Sequence, residues 1–108
     1  MGTTEGGFSS FSAAKSGLGP AGEANVYDHI VEQSQMGKSG FSSEQINNAE
    51  NLNPVPSGLN QIKANYYNSI QPFSNGLRVR NWLAGQSFED QWNFGMSVTE
   101  DIWNGALR

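Results

Sequence analysis

The sequence predicts an α+β fold, one small domain in which two short strands and the helix after them form a ββα core wrapped by further helices. Three observations lead there. Residues 26–31 are β-branched and aromatic apart from a central Asp-His pair, and 52–55 form a second extended run stopped by Pro56. From Pro56 to about Ile70, Leu59, Ile62 and Tyr66 recur at helical spacing. Elsewhere helical patterns alternate with Gly-, Pro- and Asn-marked turns, with no internal repeat and no domain boundary.

Residues 1–7, with Gly2, Gly6, Gly7 and two Thr, read as a flexible tail, and 8–108 as the domain. Phe8 and Phe11, three apart and followed by Ala13 and Ala14, suggest a short helix over 8–16. Gly17, Gly19, Pro20 and Gly22 end it. After the first strand, 33–41 is polar and Gly-containing, hence loop. Ser42 or Ser43 with Glu44 and Gln45 marks a capped short helix ending near Asn48. Beyond the long helix, Pro72, Asn75 and Gly76 make a turn, and 78–84 form a short helix stopped by Gly85. Ser87, with Glu89 and Asp90 in the first turn, starts the last helix, where Phe88, Trp92, Met96 and Trp103 form a core stripe and Gly95 permits close packing.

Composition narrows the chemistry. The 108 residues contain no Cys, which excludes a disulfide framework, a thiolate zinc site and a thiol nucleophile. No apolar run approaches the roughly 18 residues of a membrane span. The first 25 residues lack a secretory leader's charged start and apolar centre, and the chain reads as a piece of something longer. The P-loop and the His-x-Glu with Pro-Cys-x-x-Cys ligands of a zinc deaminase are absent. The net charge of −4 is unusual for a protein that handles phosphates. However, four of the six cations fall between positions 38 and 80, and a bound divalent metal would add positive charge of its own.

The residues that can carry chemistry surround the only histidine. Asp28 and His29 lie on the first strand, Asn51 enters the second after a loop of about twenty residues, and Asn60 follows near the start of the helix. This is the order of a ββα-metal nuclease site. Phosphodiester hydrolysis needs an activated water, a metal on the phosphate and fixed geometry. A neutral His is a suitable base near pH 7. Asp28 and Asn60 are hard oxygen donors, which favour Mg2+ or Mn2+ over zinc. Asn51 either holds the hairpin loop or orients the His29 ring. Neighbours on a strand point to opposite sides, so a twisted or bulged strand end is expected to bring Asp28 and His29 to one site. Lys63, at i+3 from Asn60, with Arg78 and Arg80 beyond the next turn, is expected to form a basic strip for DNA phosphates. The acids Glu89, Asp90, Glu100 and Asp101 collect on the last helix.

Several separated motifs carry a resemblance. Tyr27-Asp28-His29-Ile30-Val31-Glu32-Gln33 is similar to the Trp-His-His-Ile-Val-Glu-Gln segment of HNH/endonuclease VII-like toxin domains, found at the C-terminus of Rhs-type bacterial polymorphic toxins. Leu18-Gly19-Pro20-Ala21-Gly22 resembles the lead-in of that family. Ile46-Asn47-Asn48-Ala49-Glu50-Asn51-Leu52 resembles its Ile-His-Asn-Thr-x-Asn-Leu stretch. Asn65-Tyr66-Tyr67-Asn68-Ser69, Val79-Arg80-Asn81-Trp82-Leu83, Gln86-Ser87-Phe88-Glu89-Asp90-Gln91 and Phe94-Gly95 match in type, so the likeness spans roughly residues 8 to 104. Asp28 replaces the first His of the pair, Asn60 stands at the helix position that bears His or Asn, and Asn47 stands where relatives carry His. The Asp-His…Asn combination is similar to the phage junction resolvase endonuclease VII, in which Asp and Asn bind the metal beside a His base.

The resemblance implies a ββα-metal (His-Me finger) fold and a metal-dependent endonuclease toxin. Such a toxin is delivered into the cytoplasm of a target bacterial cell, cuts DNA there and is paired with a cognate immunity protein. It implies His29 as general base with Asn51 in support, Asp28 and Asn60 as metal ligands, and Glu32 as a residue that either assists the metal or stabilises the loop. Two alternatives stay open at this point: an RNase toxin, and a catalytically inactive HNH-like binding module.

Overall fold

The computed structural model describes residues 6–108. The tail expected at 1–7 lies outside the described residues for 1–5. Gly6 and Gly7, by contrast, pair with the chain at Asn48–Ala49, through the Ala49 amide on the Gly6 carbonyl and a bridge between Gly7 and Asn48. Helix α1, Phe11–Leu18, starts at Ser10, whose hydroxyl accepts from the Ala13 amide, and stops at Gly19, which takes a φ of 82° that favours glycine.

Strand β1, Asn25–His29, runs antiparallel to β2, Leu52–Pro56, in a register from Asn25 opposite Pro56 to His29 opposite Leu52. The expected pairing is present, although β1 ends two residues before Val31. A two-stranded sheet has only edges, so Pro54 and Pro56 cost it no interior ladder bond. Between the strands lie α2 (Gln35–Ser39), α3 (Ser43–Ile46) and a 3₁₀ turn at Ala49–Asn51. Helix α2 falls in a stretch whose polarity and Gly37 read as loop. Helix α3 has the full capping box between Ser42 and Gln45.

Helix α4, Ser57–Tyr67, leaves β2 directly and packs on both strands and on the last helix. Its buried positions, Leu59, Lys63 and Tyr67, are four apart and form one face. Helix α5, Val79–Leu83, and helix α6, Phe88–Trp103, complete the fold, with the Ser87 hydroxyl accepting from the Asp90 amide to cap α6. Tyr67, Val79, Leu83 and Val98 form the main core, flanked by Trp82, Phe94 and Ile102. Among the described residues no helix is long and apolar enough to cross a membrane.

Helix α6 buries a different face from the expected one. Gln91, Gly95, Val98 and Thr99 point inward, whereas Trp103 is 63% exposed and Phe88, Trp92 and Met96 are only half-buried. The close contact sets this rotation: a Cβ at Gly95 would lie 2.5 Å from the Ile30 carbonyl oxygen. Inside, the Gln91 amide nitrogen has the carbonyls of Leu83 and Gln86 and the Ser39 hydroxyl as acceptors for its two protons, whereas its Oε1 has no partner among the described residues.

Candidate functional site

The end of β1 opens into a cleft of about 1010 Å3. Asp28 and His29 line it from the strand, Asn60 and Lys63 from α4, and Phe11 and Lys15 from α1. The β1–β2 register runs through Asp28 and His29 as consecutive pairs. Both line the cleft, which runs along the whole of β1, without a bulge between them.

His29 is 8% exposed. Its Nε2 lies 3.0 Å from Oδ1 of Asn47, and the Phe11 ring meets it edge-on at 4.5 Å between centroids. An amide oxygen only accepts, so Nε2 carries the proton and the lone pair of the neutral ring sits on Nδ1. Burial holds the imidazole below its ordinary value near 6.5, against the opposing pull of the Asn47 hydrogen bond and the Asp28 charge. Burial thus favours the neutral form of the ring, and the Asn47 contact makes Nδ1 its lone-pair nitrogen.

Asn51 holds the hairpin loop. Its side-chain oxygen accepts from the Val31 amide at 2.8 Å, and its amide donates to the carbonyls of Val31 and Ile46 at 3.1 and 2.9 Å. Its own carbonyl accepts from the Ile30 amide. Asn51 is not among the residues lining the cleft and does not touch the ring. The residue that orients His29 is Asn47, which sequence reasoning treated only as a missing His. The available signal was its place in the Ile-Asn-Asn stretch, one residue after the buried Ile46.

Lys63 corrects the expectation of a surface phosphate contact. It is 2% exposed, and its ammonium donates to Asp28 Oδ2 at 2.7 Å and to the carbonyls of His29 and Ile30 at 2.9 and 3.2 Å. The physical reason is its place on the inward face of α4, opposite a buried carboxylate. Burial pushes the Asp28 carboxyl up, and the Lys63 charge and hydrogen bond pull it back down.

Arg80 is likewise engaged. Its guanidinium grips Glu32 with two bonds of 3.0 Å and reaches Asn68 Oδ1. This pair ties the segment after β1 to α5, and Glu32 also lines the cleft. Arg78 is exposed and does not line the cleft. The exposed cation at the cleft is Lys15, whose ammonium sits 4.5 Å from the Phe11 ring centroid, one turn along α1. That i, i+4 pair was visible in the sequence. Glu89, Asp90, Glu100 and Asp101 all stand exposed on α6 and none lines the cleft.

Asp28 and Asn60 are hard oxygen donors that line the same cleft from β1 and α4, and the Asn60 side chain makes no hydrogen bond to a described residue. Their chemistry suits a magnesium-like ion whose remaining positions are filled by water and phosphate oxygens. One carboxylate oxygen, however, is already matched by Lys63. No protein-family model, no curated protein and no solved structure matches this chain.

Proposed function

We propose that this chain is a metal-dependent endonuclease that hydrolyses DNA phosphodiester bonds. In that reading it acts as a polymorphic-toxin domain in the cytoplasm of a target bacterium and is held in check by a cognate immunity protein. One observation carries the chemical part: a buried His29, hydrogen-bonded to Asn47, lines the same cleft as Asp28 and Asn60, at the junction of two strands and a helix. The sequence motifs support the biological part.

In this mechanism the DNA backbone enters the cleft with a phosphate near Lys15. Asn47 holds Nε2–H, so His29 Nδ1 faces a water and takes its proton. The water oxygen attacks phosphorus, the bond to the leaving sugar oxygen breaks, and that oxygen takes up a proton from solvent. Asp28 and Asn60 would hold a Mg2+ or Mn2+ ion, which would supply positive charge to the substrate phosphate. Asn51 acts as a positioning residue by keeping the segment from Ile30 to Val31 in place.

A binding module without catalysis is favoured by one feature, the Asp28–Lys63 pair, which neutralises the carboxylate. Purified protein incubated with plasmid, and separately with RNA, in magnesium, manganese or EDTA separates the readings. Metal-dependent cutting of plasmid that drops at least tenfold in His29→Ala is expected, because a general base contributes about 10²–10⁴-fold. Cutting of RNA alone would redirect the substrate, and no cutting of either would leave the binding module.

A further inference from the structure

We propose that the Lys63 ammonium is a resident counter-cation of Asp28, which a divalent ion displaces on binding, so that Lys63 sets the metal affinity of the site. This rests on the reading of Asp28 as a metal ligand. The ammonium has three protons and three acceptors, at 2.7, 2.9 and 3.2 Å. Two of those acceptors, the carbonyls of His29 and Ile30, stay in place when Asp28 is lost to it. Displacement is therefore a swing about a retained anchor and does not expel a bare charge. The ammonium also lies 5.3 Å from the Tyr67 ring centroid, a second surface that favours a cation.

A divalent ion on Asp28 cannot share the carboxylate with the ammonium at no cost. Charges of +2 and +1 about 5 Å apart repel by roughly tenfold in affinity even at the dielectric of water, and by more in a protein wall. Without metal, the same ammonium keeps the buried carboxylate from standing uncompensated. The site is thus paired at rest, an ion must outcompete Lys63 to bind Asp28, and a substrate phosphate would help it do so. Metal affinity should be weak in free protein and improve when the lysine charge is removed.

The test uses calorimetric titration of Mn2+ at pH 8 into the wild-type chain, Lys63→Met and Asp28→Asn, together with the NMR signal of the Lys63 ammonium in wild-type protein titrated with Mg2+. Lys63→Met is expected to bind Mn2+ about tenfold more tightly than wild type, and saturating Mg2+ is expected to shift or erase the Lys63 signal. If Asp28→Asn binds as well as wild type, the ligand reading itself fails. If Asp28→Asn weakens binding while Lys63→Met changes it less than twofold, or the Lys63 signal stays unmoved at saturation, the ligand reading survives and the displacement is overturned. The wild-type NMR arm decides alone should Lys63→Met not fold.

Discussion

Two glycine-to-alanine substitutions in helices should move stability in opposite directions. At Gly95 an added Cβ would sit 2.5 Å from the Ile30 carbonyl oxygen, 2.9 Å from its Cγ2 and 3.3 Å from its carbonyl carbon. The obstacle is backbone, and that backbone is fixed: the Ile30 amide donates to the Asn51 carbonyl, and the Ile30 carbonyl accepts from Lys63. Overpacking costs about 1–3 kcal/mol, at the upper end where nothing can yield. The helix preference for Ala over Gly returns about 1 kcal/mol, which leaves a net loss of about 2 kcal/mol. For a domain of this size that lowers the Tm by roughly 8 °C or more. At Gly58, in α4, nothing lies within 4 Å of the added atom, so Gly58→Ala should stabilise by about 0.5–1 kcal/mol. Thermal unfolding followed by circular dichroism reads both variants. If Gly95→Ala raises the Tm as Gly58→Ala does, α6 does not press on the exit of β1, and the placement of the site wall is wrong.

Three further outcomes follow from the same contacts. His29 is held below its ordinary value by burial, so the unfolded chain binds the proton first as the pH falls. Its contribution to stability is present above about 6.5 and is lost as the pH drops below that; urea unfolding at pH 7.5 and 5.5 should show a difference that shrinks in His29→Gln, and an equal difference in both proteins would refute the assignment. Asn51→Ala strips the buried Val31 amide of its acceptor and two carbonyls of a donor, which at about 1–3 kcal/mol for an unsatisfied buried group should cost about 3 kcal/mol or more and speed hydrogen exchange at Val31; unchanged exchange there would contradict the clamp. Lys15→Ala should reduce the slope of log DNA affinity against log salt by about 1, measured with calcium to prevent cutting, while Arg78→Ala leaves it nearly unchanged; the reverse order would move the phosphate path away from α1.

The parts of the fold legible in the sequence are those governed by local rules. The first strand was readable from its β-branched and aromatic residues, the second from an extended run before Pro56, and the caps at Ser42 with Gln45 and at Ser87 from capping chemistry, because each acts over a few residues. The face of α6 was not legible. Counting apolar residues selects Phe88, Trp92, Met96 and Trp103, yet the inward positions include a Gln, a Gly and a Thr. Gln91 is buried by hydrogen bonds to α5 and α2, and Thr99 by one to the Gly95 carbonyl, neither of which leaves a mark on hydropathy. At the candidate site, the sequence marked Asp28, His29 and Asn60, which share one cleft. It missed the partners that define their states. A lysine is exposed by default, and only the meeting of Lys63 with Asp28, 35 positions away, makes it a buried ion-pair member. Asn47 was missed for the same reason, since its value lies in a contact 18 positions back.

These long-range polar contacts converge on one short segment. The carbonyls of His29, Ile30 and Val31 accept from Lys63, Lys63 and Asn51, and the amides of Ile30 and Val31 donate to Asn51. A chain of 108 residues buries a modest apolar core, and here that core lies among α4, α5 and α6. The segment leaving β1, whose Ile30 and Val31 side chains are themselves buried, is held in addition by side chains that satisfy its backbone groups one by one. Such clamps are directional, so they fix the strand end more tightly than apolar packing of the same area would. They also tie the two readings of Lys63 together. The ammonium paired with Asp28 is one of the fasteners of the backbone that carries His29, since it also donates to the His29 carbonyl. If a metal binds Asp28 as proposed, it would act on the position of His29 through this single side chain.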